Sequence, residues 1–268
     1  MKSNKKLFWC VYTVLTIVLS FKVVSADEHK SAVTDFTEQV LISTEYSQID
    51  FSQADRLSFD AFAKAYHGYL NLLNDGKLNK DRQIISICDF NLPSSKNRLW
   101  IIDLATHKIL FNTYVAHGQG SGEDVAESFS NKNNSHQSSL GFYVTGDTYE
   151  GDHGTSLRLN GMDEGFNDAA LDRGIVVHGA DYVSEKFIAE NDRLGRSWGC
   201  PAVREDLKIP IINAIQGGTC LFIYYPDSKY MKTAYWLNKK IDHMPEPDFM
   251  AGLSLPATRN QSTNGQGN

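Results

Sequence analysis

The segment Gly195-Arg196-Ser197-Trp198-Gly199-Cys200-Pro201-Ala202 sets a cysteine in a turn of small residues, downstream of a histidine that closes the apolar run Val176-Val177-His178-Gly179. A thiol attacks as its thiolate, so it needs a base within reach, and a histidine at a strand end is a fitting one. Gly179 can orient the imidazole through its carbonyl. Gly199 frees the backbone so that the Gly199 and Cys200 amides can face a developing oxyanion. If the two segments meet in space, the chemistry they support is acyl transfer through a thioester. Read singly, the same residues are a buried cysteine and a core histidine; the glycine-bearing turn favours the nucleophile.

The elements that must position this pair read as strands. Gln83–Phe90, Arg98–Leu104, Lys108–Ala116, Leu140–Thr145, Gly174–His178 and Thr219–Tyr225 are rich in β-branched and aromatic residues. Asp103–Lys108 is a hairpin loop. Val183–Glu190 and Arg204–Gln216 read as helices, the second interrupted by Pro210 and ended by Gly217-Gly218. Upstream, Phe59, Phe62, Tyr66, Tyr69, Leu70 and Leu73 recur at helical spacing, with Ser58 or Asp60 as cap and Asn74-Asp75-Gly76 as stop. Residues 27–56 are polar and weakly patterned. Residues 117–139 form a long polar loop, either a surface connection or a binding element. Tyr230–Lys240 is a short aromatic helix, and the tail from Pro245 has a disordered composition. Many short strands with few helices make a mainly β domain.

The chain has 268 residues and a formal net charge of −6. Lys2, Lys5 and Lys6, the apolar stretch Leu7–Leu19 and Val24-Ser25-Ala26 have the form of a cleaved secretory signal over residues 1–26, or else of an uncleaved N-terminal anchor. Without that segment and its lysines the chain is more acidic still, which speaks against nucleic acid as partner. Of the four cysteines, Cys10 leaves with the signal. Cys88 and Cys220 lie in strand-like runs, as buried free thiols in preference to a disulfide. Cys200 is left as the reactive thiol. Neither a His-Glu-x-x-His nor a paired Cys-x-x-Cys occurs, so no metal or cofactor is expected, although a zinc hydrolase drawing on His117, His136, His153 or His178 is a remote alternative.

His178 with Ser197-x-Gly199-Cys200 resembles the signature of the L,D-transpeptidase catalytic (YkuD-like) family, a histidine followed after a spacer by Ser/Thr-His-Gly-Cys. Ala116-His117-Gly118, Ser138-Ser139-Leu140-Gly141-Phe142-Tyr143 and Gly151-Asp152-His153-Gly154-Thr155-Ser156-Leu157-Arg158-Leu159 are similar to further segments of its murein branch. The resemblance covers about residues 82–226. Trp198 stands where the broader family usually has histidine, Pro201-Ala202 replaces a more polar stretch, and the spacer to Ser197 is slightly long.

The resemblance implies an L,D-transpeptidase-like β-sandwich catalytic domain over 82–226, a helical N-terminal extension over 27–81, and a C-terminal helix and tail over 227–268. It implies an exported, periplasmic or envelope enzyme whose substrate is the peptidoglycan stem tetrapeptide. Cys200 would attack the carbonyl of the third residue, release D-alanine and hold a thioester. An amine on a second stem or a wall-linked protein would then take the acyl group, with His178 as base, and carbapenems would acylate Cys200. Water in place of the amine would make the same scaffold an L,D-carboxypeptidase or a cross-link hydrolase. A non-catalytic wall-binding protein is a remote third reading.

Around the pair, His153, Ser156, Arg158, Arg196, Ser197 and Trp198 are candidates to contact substrate. Arg158 would meet a stem carboxylate or form a structural ion pair. Arg196 and Arg204 would raise the potential at the thiol or sit in solvent. Trp198 would wall the acyl pocket or pack beneath the turn. His117 and Ser139 are weaker candidates that also fit a structural role in a polar loop. The oligomeric state is silent in the sequence.

Overall fold

The computed structural model describes residues 26–152 and 154–245. The signal-like residues 1–25, the tail beyond 245 and His153 lie outside the described residues. The chain divides into two compact units, Met1–Leu41 and Ile42–Asn268. Helix α1, Ala26–Gln48, occupies the stretch expected to be unpatterned. It has no apolar stripe to betray it, but it also contains no Gly or Pro to break it. Among the described residues no helix is long and apolar enough to cross a membrane.

The second unit is built on eight strands: β1 Ile84–Asp89, β2 Leu99–Asp103, β3 Lys108–Thr113, β4 Gly141–Gly151, β5 Gly154–Gly161, β6 Val176–Ala180, β7 Ala202–Arg204 and β8 Cys220–Tyr224. They pair in the order β3-β2-β1-β8-β4-β5-β6-β7. All neighbours are antiparallel except β1 with β8 and β6 with β7. The fold is mainly β, as expected. The central strands are buried along almost their whole length, which is why β1 and β8 read as continuous apolar runs. The edge strand β3 alternates exposed and half-buried positions.

Helix α2, Phe59–Asn74, starts at Ser58, whose hydroxyl accepts the Ala61 N–H at 3.2 Å, and stops before Gly76 at φ +65°. Ala61, Phe62, Ala65, Tyr69 and Leu72 are its buried face. Gly68 lies flat on the Phe142 ring, where a Cβ would come within 2.0 Å of ring carbon. Phe142 in turn stacks on Phe222 at 4.2 Å. Each such buried aromatic contributes about 2–3 kcal/mol.

Four further elements depart from the sequence expectation. Helix α4, Lys208–Ile215, contains Pro210 without interruption, because Pro210 falls in the first turn, where its missing N–H would have had no partner anyway. Helix α3, Glu185–Asn191, is as expected. The aromatic C-terminal helix is instead two short ones, α5 Ser228–Thr233 and α6 Tyr235–Asn238, split by an extended Ala234. The break lets Trp236 Nε1 donate to the Met162 carbonyl at 2.7 Å, and Asn71 of α2 ties down the Trp236 and Lys239 carbonyls. Strands β5 and β7 were not anticipated: the first is polar and opens on a glycine, the second has only three residues.

Candidate active site

The site lies where the parallel pair β6–β7 leaves the sheet. His178 is opposite Ala202 in that ladder. Pro201, which has no N–H to give, stands just before β7, and the ladder begins at Ala202. Cys200 is two residues ahead of Ala202, as Val176 is two ahead of His178. The register thus carries the cysteine alongside Val176, whose N–H points at Sγ at 3.5 Å. The sulfur also faces the Gly174 carbonyl at 3.7 Å. Nδ1 of the buried His178 is 2.8 Å from the Gly179 carbonyl. A carbonyl only accepts, so Nδ1 holds the ring proton and Nε2 carries the lone pair.

The turn is held from inside and outside. Ser197 Oγ donates to the Cys200 carbonyl at 2.6 Å and accepts the Gly199 N–H at 3.1 Å. Residues 116–119 strap both ends: Ala116 N–H donates to Ala202 O, Ser197 N–H to His117 O, and Gln119 N–H to Ser197 O, all at 2.8–3.0 Å. Ser138, fully buried, accepts the Gly118 N–H at 3.0 Å and donates to the Gly199 carbonyl at 3.2 Å. Gly199 has φ +127°, and a Cβ there would lie 2.7 Å from the Gln137 carbonyl. Beneath the turn a small apolar cluster of Ala116, Ala180, Val183, Leu194 and Ala202 fills the space.

Two expectations change here. The Gly199 amide is not available to an oxyanion, because the Ser197 hydroxyl has taken it. Ser197 is a turn-former, with its hydroxyl proton and an acceptor position both used inside the turn. The Cys200 N–H, by contrast, has no acceptor among the described residues.

Burial pushes the Cys200 thiol up, while the Val176 N–H and the Arg173 guanidinium pull it back. Arg173 was not anticipated. It sits just before β6, its guanidinium donating to the Ser130 and Gln137 carbonyls at 2.7 Å and to the Ser139 hydroxyl. No local pattern reveals it, since its partners all come from the 130–139 segment. The two arginines flagged from sequence are spoken for by acids. Arg196 pairs with Glu123 at 2.8 Å and the Gly122 carbonyl at 2.9 Å. Arg204 pairs with Asp206 at 2.9 Å.

The other candidates have distinct places. Arg158 is exposed, forms no structural ion pair among the described residues, and lies over the Tyr149 ring at 4.3 Å. In the β5–β6 ladder it is opposite Val176, so it flanks the cysteine across one strand. Ser156 is buried and donates to the Gly154 carbonyl at 3.1 Å. Trp198 does not pack beneath the turn: it is 72% exposed and stacks on His136, ring centres 5.0 Å apart and 7° from parallel.

His117 is structural. Arg98, itself fully buried, donates to its Nδ1 at 2.7 Å, and Nε2 faces the Gly122 carbonyl at 3.3 Å. Burial, helped by Arg98, holds His117 neutral, with its pKa down to about 3. Ser139 takes part in holding Arg173. Among the described residues no group of three His, Cys, Asp or Glu is arranged to hold a metal. Cys88 and Cys220 are free and buried.

Residues 53–224 match the family model described as the L,D-transpeptidase catalytic domain. No curated protein matches the chain. Among solved structures, it is similar to an L,D-transpeptidase from Mycobacterium smegmatis, at 10% identity over 53% of this chain and 59% of that one, with a TM-score of 0.34. It is also similar to the helical cell shape determining protein Pgp2 of Campylobacter jejuni, at 14% identity over 59% and 55% of the two chains, TM-score 0.36. A third is an Enterococcus faecium L,D-transpeptidase, at 11% identity over 53% and 50%, TM-score 0.32. The chain spans less than two thirds of the length of each, and the family match carries the assignment.

Proposed function

The chain belongs to the L,D-transpeptidase catalytic-domain family, and we propose that it is an exported cysteine acyltransferase that acts on peptidoglycan stem peptides through a thioester on Cys200. The observation that carries this reading is the β6–β7 register, which sets the sulfur against Val176 with His178 one step further along the same strand. The Gly179 carbonyl, 2.8 Å from Nδ1, supports the tautomer in which Nε2 serves as base.

The cycle follows from these groups. His178 Nε2 takes the thiol proton, and the Arg173 guanidinium favours the thiolate in a site where burial opposes it. The sulfur adds to the carbonyl preceding the terminal D-alanine. The Cys200 N–H is the donor left in the turn for the oxyanion. Collapse breaks the peptide bond, the imidazolium protonates the departing amine, and a thioester remains. An acceptor amine gives its proton to His178 and attacks the thioester, expelling the thiolate and making a new peptide bond. Arg158, beside Val176, is suited to a carboxylate of the stem. An exported location follows from that substrate, and from the signal-like residues 1–26.

The test is the purified chain with tetrapeptide muropeptides, followed by intact mass and by product analysis. A tripeptidyl adduct that Cys200→Ala lacks, together with cross-linked dimer, is expected. An adduct on another residue, or none, overturns the nucleophile. Trimmed tripeptide without dimer overturns the transferase and leaves a hydrolase.

A further inference from the structure

Trp198 and His136 form an aromatic platform beside the cysteine turn, and neither the thioester chemistry nor the core uses it. His136 adopts a left-handed backbone, φ 52°, as does Asn134 at φ 56°. Such conformations are sparse for residues other than glycine and persist where the surroundings hold them. Here the Gly120 N–H grips the His136 carbonyl at 2.8 Å and Gln119 Nε2 lies 3.0 Å from its Nδ1. The result is an imidazole laid flat on one face of the indole, with Trp198 still 72% exposed. A cavity of about 330 Å³ adjoins the pair, completed by Asn133, Asn134, Asp172 and Arg173.

We propose that this platform is a subsite for an N-acetylhexosamine of the glycan strand that carries the stem peptide, a proposal that rests on the transpeptidase reading. A pyranose ring is amphipathic: its axial C–H face stacks on an aromatic, while its equatorial hydroxyls and acetamido group need amide, carboxylate and guanidinium partners. Asn133, Asn134 and Asp172 supply the amide and carboxylate groups at the edge of the indole, and Arg173, its donors held by the 130–139 segment, adds positive charge. The open, polar lining suits a ligand that stays half in water, and it lacks the apolar walls that a lipid or a free aromatic ring would require.

The spacing also fits. The sulfur points toward the β6 backbone at Gly174 and Val176, and Arg173, which lines the cavity, has its guanidinium 3.3 Å from where a Cβ at Gly199 would lie, so the cavity borders the cysteine turn. A stem whose third carbonyl is at Cys200 extends back about 10 Å to its sugar. Trp198 is two residues from Cys200, within that reach. The platform thus takes the glycan end of the substrate while the stem lies along β6.

The probe is stem-free glycan, chitotetraose and lysozyme-type glycan fragments stripped of peptide, titrated by NMR and calorimetry into the full chain carrying Cys200→Ala. Saturable binding that shifts the Trp198 indole resonance is expected. Trp198→Ala weakens it about tenfold and Trp198→Phe restores most of the loss. Asp172→Asn weakens it less. Absence of binding by the parent, or binding that Trp198→Ala leaves intact, overturns the proposal. Free stem tetrapeptide losing affinity as much as glycan-linked tetrapeptide in Trp198→Ala also overturns it, because the indole would then be touching the stem. Failure of the transpeptidase reading appears separately, as a missing Cys200 adduct with free tetrapeptide, a measurement in which no sugar takes part.

Discussion

Cys88 and Cys220 lie on the neighbouring central strands β1 and β8, and Cys200 lies at the β6–β7 edge. In the centre, Cys88 is opposite Ile223 and Cys220 opposite Ile85, offset along the ladder and both fully buried. Burial pushes the Cys88 thiol up to about 12 even though Arg98 pulls the other way, and pushes Cys220 higher still. Burial raises Cys200 too. The difference is what stands around the sulfur. Arg98 spends its donors on the Val115 and Leu92 carbonyls and on His117. At Cys200 a backbone N–H reaches the sulfur, Arg173 is near it, and the turn is anchored at both ends. Burial alone makes a thiol inert; burial beside a counter-charge, with a histidine on the neighbouring strand, is the setting that the proposed nucleophile needs.

The comparison breaks most sharply by exchanging which cysteine is removed. Cys200→Ala is expected to reduce thioester formation by at least about a thousandfold with little change in melting temperature. Cys88→Ala does the reverse, costing about 1–2 kcal/mol of stability through its cavity while the folded fraction keeps its acylation rate. Adduct mass and denaturant melts on the two variants read both effects.

His178→Gln comes next, with a loss of about 10²–10⁴ in acylation rate. A smaller effect separates base from counter-charge. Arg173→Gln raises the midpoint of Cys200 alkylation by iodoacetamide and slows it about tenfold at pH 7, and Arg173→Lys recovers part of this. An unmoved alkylation profile would remove Arg173 from the electrostatics of the thiol.

The smallest effect concerns pH and sets the two regions against each other. His117, in the strap, has its pKa lowered to about 3 by burial and Arg98. Below the ordinary histidine range the unfolded chain takes up a proton that the folded one refuses, so this contribution to stability is lost as pH falls from about 6.5 toward 3. Asp163, in the core beside Phe142 and Tyr230, has its pKa raised to about 6 by burial. Its contribution is complete below the ordinary carboxylate range and is lost as pH rises through 6. Each shift amounts to a few kcal/mol at most. Between pH 7 and 4.5, hydrogen-exchange protection relative to the intrinsic rate is expected to fall at residues 116–119 and to rise around Phe142. Asp163→Asn removes the second change, and equal behaviour of the two regions would contradict the assignment.

Much of the centre was legible in the sequence because it is determined locally. Ser58 and Gly76 bracket α2, and β1, β2 and β8 announce themselves as runs of Ile, Trp and Phe. The meeting of the Cys200 turn with the His178 strand was legible for a related reason: the turn needs its glycine, and the apolar run ends at His178. What could not be read is what depends on distant partners. Arg173 has meaning only through Ser130, Gln137 and Ser139. The loss of the Gly199 amide to Ser197 depends on how the turn closes. Strand β7 is three residues long, and only its pairing with β6 makes it a strand. Pro210 reads as an interruption only while its place in the first turn of α4 is unknown.

The close packing around Gly118 and Gly199 bears on how such a site can diversify. A side chain at 118 would run into the His136 carbonyl, and one at 199 into that of Gln137. Trp198, next to Gly199 in sequence, is 72% exposed and stacks on one imidazole. A saturation library selected for folding alone would therefore return almost nothing but glycine at 199 and nearly every residue at 198. Selection for new substrates has one open letter to write with, set inside a word whose other letters cannot change.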